Sequence, residues 1–440
     1  MTVKTLSTAA LSGLMLAGMA GVALAQDAAP AVSPETAYIF NTLLFLMGGF
    51  LVMWMAAGFA MLEAGLVRSK NVSMQCLKNI GLYSVAGIMY WIVGYNLMYT
   101  GVDGGYFGSF GPYSFDPVGG NALDTGYSTA SDWFFQMVFV ATAASIVSGT
   151  LAERIKLLPF MIFTVILTGF IYPIAGSWKW GAGWLDAMGF QDFAGSTLVH
   201  SVGGWCALTG ALILGARKGK YVDGRVQPMP GSSIPLATLG TFILWLGWFG
   251  FNGASQLAMG TIGDASDVSR IFANTNLAAA GGVVAVMILM PLIYGKVDVT
   301  MVLNGALAGL VSITAEPLNP SPFLSIIIGA VGGIIVVFAV PAIDKLKIDD
   351  VVGAIPVHLL AGIWGTFIVP LSNGDASFGV QIIGILAYGV FTVVVSAVFW
   401  LILKAVMGIR VSDEEEAIGL DKAEVGVEAY PEFTAAGTRF

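Results

Sequence analysis

Long apolar segments recur along almost the whole chain, and their length restricts the fold more than any other feature. A helix needs about 20 mostly apolar residues to cross a membrane. Only 10% of the residues are charged, against roughly 25% in average soluble domains. We therefore predict an all-α polytopic membrane protein with eleven transmembrane helices. The predicted spans are residues 38–62, 77–99, 133–152, 157–178, 196–215, 235–257, 271–294, 299–315, 321–341, 355–371 and 378–407.

The distribution of Lys and Arg predicts the orientation of these spans, because cytoplasmic loops are enriched in positive charge. With the N-terminus outside and the C-terminus inside, only Lys179 and Arg270 fall on the outer side, apart from Lys4 in the leader. All other Lys and Arg residues lie in predicted inner loops or in the C-terminal tail. The net charge of −8 owes much to that tail, so it gives no basis for a nucleic-acid partner.

The N-terminal residues have the pattern of a secretory signal peptide. Lys4 precedes a small-residue apolar run that ends in Ala-Leu-Ala at residues 23–25, which is typical of a cleavage site. We predict a cleaved signal peptide at 1–25, a transmembrane domain at 26–407 and a cytoplasmic tail at 408–440. An uncleaved first span is the alternative.

The two histidines of the chain lie in the same local pattern, D-x2-G-x3-V-H-x3-G. It runs from Asp192 through His200 and again from Asp350 through His358. Each interval from Asp to His corresponds to roughly 12 Å of helix, which places each imidazole near the middle of the membrane. The predicted spans 5 and 10 enter from opposite sides. This indicates an inverted-topology repeat of spans 1–5 and 6–10, followed by span 11, with a site between the repeats.

Ionisable residues inside a membrane are costly, so a functional role is the default hypothesis. The alternative is that each histidine only bonds to a neighbouring helix. A metal site is poorly supported, because no Cys, Asp or Glu accompanies the imidazoles at that depth. A proton relay, or a polar contact for a small N–H compound, fits better, since neutral imidazole both donates and accepts hydrogen bonds.

Aromatic residues lie toward the predicted outer side: Phe135, Phe139, Trp180 and Phe251. Aromatic rings attract cations, more strongly when water is excluded. An interfacial aromatic belt is the other interpretation. Outer acids such as Asp124 and Asp132 could raise the local cation concentration, but we favour solvated loop charge as their explanation.

Several segments resemble the ammonium transporter family (Amt/Mep/Rh), and specifically its bacterial Amt branch. They are GTLAERI at 149–155, DFAGSTLVH at 192–200, WFGFN at 248–252, DDVVG at 349–353 and the stretch from His358 to Gly365. The resemblance covers essentially the whole mature chain. It implies eleven transmembrane helices, a homotrimer with one pore per subunit in the bacterial inner membrane, and no cofactor.

The resemblance also implies roles for individual residues. Trp180, Ser255, Phe135 and Phe139 would form the outer recruitment site for ammonium, and Phe139 and Phe251 the rings that close the pore beneath it. His200 and His358 would line the pore as a twin-histidine pair. Asp192 would be a buried structural and electrostatic acid, or an N-cap, or both. Ammonium would shed a proton before passage, because carrying a bare charge through a dry pore is costly.

The tail and the basic loop 217–225 resemble the family's docking surface for a PII-type signal protein. The family pattern G-L-D-x3-H-G-E-x-A-Y is altered here, because Val425 and Val427 replace the histidine and the glutamate. A solvated acidic tail is the alternative.

The sequence argues against several other functional classes, because it lacks their characteristic features. A water or glycerol facilitator would show Asn-Pro-Ala repeats, and a sodium- or proton-driven carrier would show more charge or broken helices at mid-membrane. Nothing indicates an enzyme. A membrane ammonium sensor with little flux and a passive ammonia channel are the alternatives that the sequence leaves open, as it does the selectivity against methylammonium.

Overall fold

Helices form most of the structure. The computed structural model describes residues 32–116 and 121–434, and the predicted signal peptide lies outside them. Within these ranges nine helices are long and apolar enough to cross a membrane, and two shorter apolar helices occupy the predicted eighth and tenth positions. The all-helical membrane-spanning class is therefore confirmed. In chain order the helices are α1 Pro34–Leu66, α2 Ser69–Tyr99, α3 Thr129–Thr150, α4 Leu157–Ser177, α5 Ser196–Leu214, α6 Ile234–Gly253, α7 Ile262–Tyr294, α8 Val299–Ile313, α9 Pro322–Lys345, α10 Ile355–Leu371 and α11 Phe378–Met407.

Polar caps explain where several helices begin. The Ser33 hydroxyl accepts the backbone N–H of Thr36 at 3.1 Å before α1, and proline occupies the first turn of that helix, where its missing N–H costs nothing. Thr261 and Asp264 form a reciprocal capping box before α7. The prediction began α7 at residue 271 because the first turns are polar. The capped helix begins at Ile262 instead, so its first, polar turns precede the apolar segment.

Glycines allow the helices to approach closely, as is common inside membranes. An added Cβ on Gly240 of α6 would lie 2.4 Å from the backbone nitrogen of Leu62 and 2.7 Å from the carbonyl oxygen of Gly58, both on α1. In the second half of the chain, a Cβ on Gly329 of α9 would lie 1.9 Å from the carbonyl oxygen of Ala278 on α7. The backbones of α1 with α6 and of α7 with α9 are therefore in direct contact.

The C-terminal tail lies against one end of the bundle, which we call the tail end. It contains a short helix, α12 Asp413–Ile418, and the loop between α5 and α6 beside it forms a small hairpin, β1 Tyr221–Val222 with β2 Arg225–Val226. The backbone N–H of Leu420 donates to the Asn71 side chain at 2.9 Å, and that of Met74 donates to the Asp421 carboxylate at 2.9 Å. These hydrogen bonds join the tail to the start of α2.

A buried ion pair fixes the connections at the tail end. The Arg217 guanidinium binds both carboxylate oxygens of Asp349, at 2.8 and 2.9 Å, and lies 3.3 Å from the Glu153 carboxylate. The loop after α5, the loop before α10 and the end of α3 are thereby held together.

Candidate functional site

The two histidines are in direct contact inside the bundle. The Nδ1 atoms of His200 and His358 lie 3.2 Å apart, the ring centroids are 5.2 Å apart with an interplanar angle of 23°, and both residues are buried. The Nε2 atom of His200 is also buried and has no hydrogen-bond partner among the described residues. One imidazole nitrogen is therefore available to a small polar molecule.

The repeated acids act as helix caps. The Asp192 carboxylate accepts the backbone N–H groups of residues 195, 196, 197 and 198, at 2.7 to 3.1 Å. Asp350 accepts the N–H of Ile355 at 2.7 Å. The glycines of the pattern, Gly195 and Gly353, have φ of 102° and 80°, which L-residues with a side chain rarely adopt. The first half of each pattern thus turns the chain sharply into a capped helix.

Both histidines lie in a wide turn at the helix start. Residues Ser196–Ser201 and Ile355–Leu360 each form a π-helical turn, a feature that is frequent at functional sites. Because an acid, a glycine and a histidine keep the same spacing in both segments, the two halves of the fold build the same local structure from opposite directions.

The last glycine of each pattern sets the distance between α5 and α10. An added Cβ on Gly204 would lie 2.7 Å from the Cβ of Leu359, and one on Gly362 would lie 2.4 Å from the carbonyl oxygen of Ser196. Leu359 follows His358 directly. Each helix therefore crosses the other beside its histidine, and only glycine permits that crossing.

Aromatic rings continue the row of stacked groups beyond His200. Phe251 stacks on His200 with centroids 5.2 Å apart, and Phe139 lies against Phe251 at 4.0 Å. Trp248 also stacks on His200, with centroids 4.9 Å apart, and its indole N–H donates to Thr314 at 2.8 Å. Trp248 is not among the site residues predicted from the sequence, although it lies one helical turn from Phe251.

A cavity of about 340 Å³ lies beyond Phe139, and we call it the vestibule. All four residues that the resemblance assigns to ammonium recruitment line it: Phe135, Phe139, Trp180 and Ser255. The Ser255 hydroxyl donates to the Phe251 carbonyl at 2.7 Å. The remaining lining residues are Tyr95, Tyr99, Tyr127, Asp132, Gln136, Phe193 and Leu257.

Asp132 is the acidic residue of the vestibule wall. From the sequence, Asp132 is expected to be a solvated loop acid, because it precedes the predicted third span. The helix begins at Thr129 instead, so the Asp132 side chain is buried and accepts a hydrogen bond from the Tyr95 hydroxyl. A buried carboxylate thus accompanies the aromatic rings.

A second, smaller cavity lies on the tail-end side of His358, and we call it the inner chamber. The chamber leaves about 10 Å³ for the centre of a water-sized molecule. This is roughly the volume that one such molecule needs. His358 and Glu63 both line this chamber. Glu63 is not among the site residues predicted from the sequence, because it lies just beyond the first predicted span.

No metal centre is indicated in the described part of the chain. Among residues 32–116 and 121–434, no three His, Cys, Asp or Glu side chains are grouped as metal ligands.

The sequence and the fold match one family over nearly their full length. The profile of the Ammonium Transporter Family matches residues 43–430. This chain belongs to that family. Its members are transporters rather than enzymes, and the chain is accordingly a multi-pass membrane protein.

Individual relatives agree with this assignment. The chain is 43% identical to the ammonium transporter Amt2 of Archaeoglobus fulgidus, over 89% of the chain and 88% of the relative. It is 41% identical to a putative ammonium transporter of Synechocystis, over 94% of each protein.

Solved structures have the same fold. A protein described as a sensor Amt protein superposes with a TM-score of 0.84 at 35% identity, covering 89% of this chain and all of that one. Mep2 of Candida albicans superposes with a TM-score of 0.77 at 26% identity, covering 87% of this chain and 88% of that one.

Proposed function

We propose that this protein moves ammonium or ammonia across the membrane through a path formed by the vestibule, the Phe139–Phe251 pair and the two histidines. The observation that carries the proposal is the unbroken contact from Phe139 through Phe251 and His200 to His358. A cavity that suits a small cation lies at one end of this row, and a chamber for one small molecule lies at the other.

Recruitment of ammonium takes place in the vestibule. The rings of Phe135, Phe139 and Trp180 attract a cation through their π faces, most strongly where water is excluded. The Asp132 carboxylate adds a buried negative charge, and the Ser255 oxygen can accept an N–H hydrogen bond.

Ammonium gives up its proton to the histidine pair before the remaining ammonia passes Phe139 and Phe251. Moving an unpaired charge into an apolar path costs far more than moving the neutral molecule, so ammonia rather than ammonium passes the rings. The unpartnered Nε2 of His200 then offers a hydrogen bond to the ammonia molecule.

The paired histidines conduct the proton separately. Their Nδ1 atoms are at hydrogen-bond distance, and a proton held between two imidazoles can be exchanged when a second proton arrives. Asp192 acts on this path indirectly, because its four backbone hydrogen bonds fix the start of the helix that carries His200.

Membership of the family also supports a proposed location, oligomeric state and orientation for the protein. We place it in the bacterial inner membrane as a homotrimer, with its mature N-terminus outside and its tail in the cytoplasm. The vestibule is then the outer end of the path. The ordered contacts of the tail with α2, and the basic loop beside it, support a docking surface for a PII-type signal protein.

A sensor function is the second candidate, and one observation favours it. The solved structure with a TM-score of 0.84 is described as a sensor Amt protein. In that case ammonium would occupy the vestibule and act through the tail contacts with little flux.

Flux measurements on reconstituted protein decide between these functions. Ammonium is pulsed onto liposomes that contain the purified protein, while the current is recorded on a solid-supported membrane and the internal pH is followed with a trapped dye. A saturable current that potassium does not evoke supports electrogenic transport. Internal alkalinisation without current indicates a passive ammonia channel. The absence of both signals, with intact oligomers that still bind ammonium, indicates the sensor.

A further inference from the structure

Two oppositely charged side chains lie buried beside the proposed path and have no role in it so far. Glu63 is on α1 and Lys78 is on α2, and each side chain is at most 1% exposed. Burying a charge is costly unless it is paired and hydrogen-bonded, so this pair requires an explanation.

The ion pair and its hydrogen bonds involve only one of the two oxygens of the Glu63 carboxylate. Its Oε2 accepts a hydrogen bond from the Ser148 hydroxyl at 2.8 Å and lies 4.0 Å from the Lys78 Nζ. Lys78 donates instead to the Ser148 carbonyl, at 2.8 Å. The Oε1 atom of Glu63 is buried and has no hydrogen-bond partner among the described residues. One carboxylate oxygen is thus free to accept a proton.

The Oε1 atom without a partner belongs to Glu63, which lines the inner chamber. Glu63 and His358 line the same space, which has room for about one water-sized molecule. Gly149 on α3 helps to keep it open, since a Cβ there would lie 2.6 Å from Val352 and 3.6 Å from the Cγ of Glu63. A single water or ammonia molecule can therefore occupy the space that the imidazole and the carboxylate both line.

The positive charge of Lys78 favours the ionised form of this carboxylate, whereas burial opposes its ionisation. Lys78 faces it from α2, and Arg154, beyond the end of α3, acts on Lys78 by charge repulsion. Arg217 and Asp349, which also lie at the tail end, are paired with each other. Lys78 is accordingly a positioning residue, because its charge acts on Glu63 rather than on the substrate.

We propose that Glu63 is the proton-accepting residue at the tail end of the path, an assignment that rests on the proposed function. The proton on the His358 imidazolium passes to the Glu63 carboxylate through the molecule in the chamber, leaving a neutral imidazole and a neutral carboxylic acid. The acid then gives the proton to ammonia. This step restores the carboxylate and forms ammonium, which leaves toward the tail end.

A purely structural ion pair is the competing explanation, and Glu63→Gln separates the two. Glutamine keeps the size of the side chain and cannot take up the proton. We expect the ammonium current per protein to fall at least tenfold, while ammonia-driven internal alkalinisation is retained or increased, because ammonia can still pass without its proton. Glu63→Asp, which retains a carboxylate, should recover part of the current.

A matched control uses another largely buried carboxylate. Glu316 is 7% exposed, is hydrogen-bonded to Asn373 at 2.7 Å and lines neither the vestibule nor the inner chamber. Glu316→Gln should therefore leave both signals unchanged. An unaltered current in Glu63→Gln, or an equal loss of current and alkalinisation in intact oligomers, would overturn the assignment. A wild-type protein without either signal would instead contradict the proposed function itself.

A second variant leaves Glu63 in place, in case glutamine prevents folding. Ser148→Ala removes the hydroxyl that donates to Oε2 and so weakens the preference for the charged carboxylate. The acidic limb of the current's pH profile should move to higher pH by at least half a unit, because a higher pH is then needed to ionise Glu63. An unchanged profile, with normal stability, would contradict proton acceptance by Glu63.

Discussion

The Nδ1 atoms of His200 and His358 meet at 3.2 Å, although the two residues belong to helices that start at opposite ends of the bundle. Each histidine is carried by an acid-capped turn and passes the other helix at a glycine. The contact is therefore fixed by two copies of one sequence pattern, and changes to either copy should act on both rings.

Removing one ring should interrupt proton movement without unfolding the protein. His358→Ala leaves His200 without its ring partner, and we expect the ammonium current to fall at least about tenfold, equivalent to about 1.4 kcal/mol. His200→Ala should act in the same direction. The test is the current per oligomer at equal protein density, with oligomer yield as the control. Normal currents in both variants would refute the proton path through the histidines.

Widening the helix crossing should disturb the same pair from a distance. Gly204→Val adds a branched side chain at a position where even a Cβ would lie within 3.0 Å of three Leu359 atoms. Overpacking of this kind costs about 1–3 kcal/mol, so the apparent melting temperature and the current should both decrease.

Gly379→Ala is the matched control for that change. Gly379 is also in a helix, and a Cβ there would meet no atom within 4 Å. It should keep the full current and be neutral or slightly more stable, since alanine restricts the unfolded chain more than glycine does. Equal behaviour of the two variants in thermal unfolding and current would show that the close contact at Gly204 is unimportant.

The sequence predicted the histidine contact because duplication leaves a visible trace in the spacing of Asp, Gly and His. It did not predict the buried charges beside the path. Asp132 and Glu63 each lie one residue outside a span predicted from hydropathy, whereas the helices extend past those limits. Whether the side chains at such a helix end are buried depends on how the end packs against the neighbouring helices. The hydropathy of a single segment contains no information on that packing.

Neutralising the vestibule carboxylate should weaken recruitment more than the maximal rate. Asp132→Asn keeps the shape of the side chain but removes a buried negative charge from the wall that faces the cation. If the vestibule binds ammonium as we propose, the ammonium concentration for half-maximal current should rise roughly three- to tenfold, or about 0.7–1.4 kcal/mol, with little change in the maximum.

The control for this prediction is an acid on the same side of the protein that does not line the cavity. Asp124 is exposed, and Asp124→Asn should leave the concentration dependence unchanged. A concentration dependence equal to wild type in Asp132→Asn would exclude the carboxylate from cation binding.

The ion pair at the tail end should be important for stability. Asp349→Asn leaves the Arg217 guanidinium buried with one strong partner fewer, and breaking a buried pair costs about 3–5 kcal/mol. The apparent melting temperature in detergent should therefore drop by several degrees. Asp413→Asn removes the exposed partner of Lys218 and should change it little, because water screens such pairs.

The contribution of Asp349 should also have a defined pH range. Burial opposes its ionisation, but the hydrogen bonds from Arg217 and the charges of Arg154 and Arg217 outweigh burial and hold the pKa of Asp349 well below its usual value. A carboxyl whose pKa is lowered by folding adds stability that is complete above the ordinary aspartate pKa of about 4 and is lost as the pH falls below it. The difference in melting temperature between wild type and Asp349→Asn should thus be constant from pH 6 to pH 8 and shrink only in more acidic buffers. A difference that instead changed steadily between pH 6 and pH 8 would show that another group controls the stability of this junction.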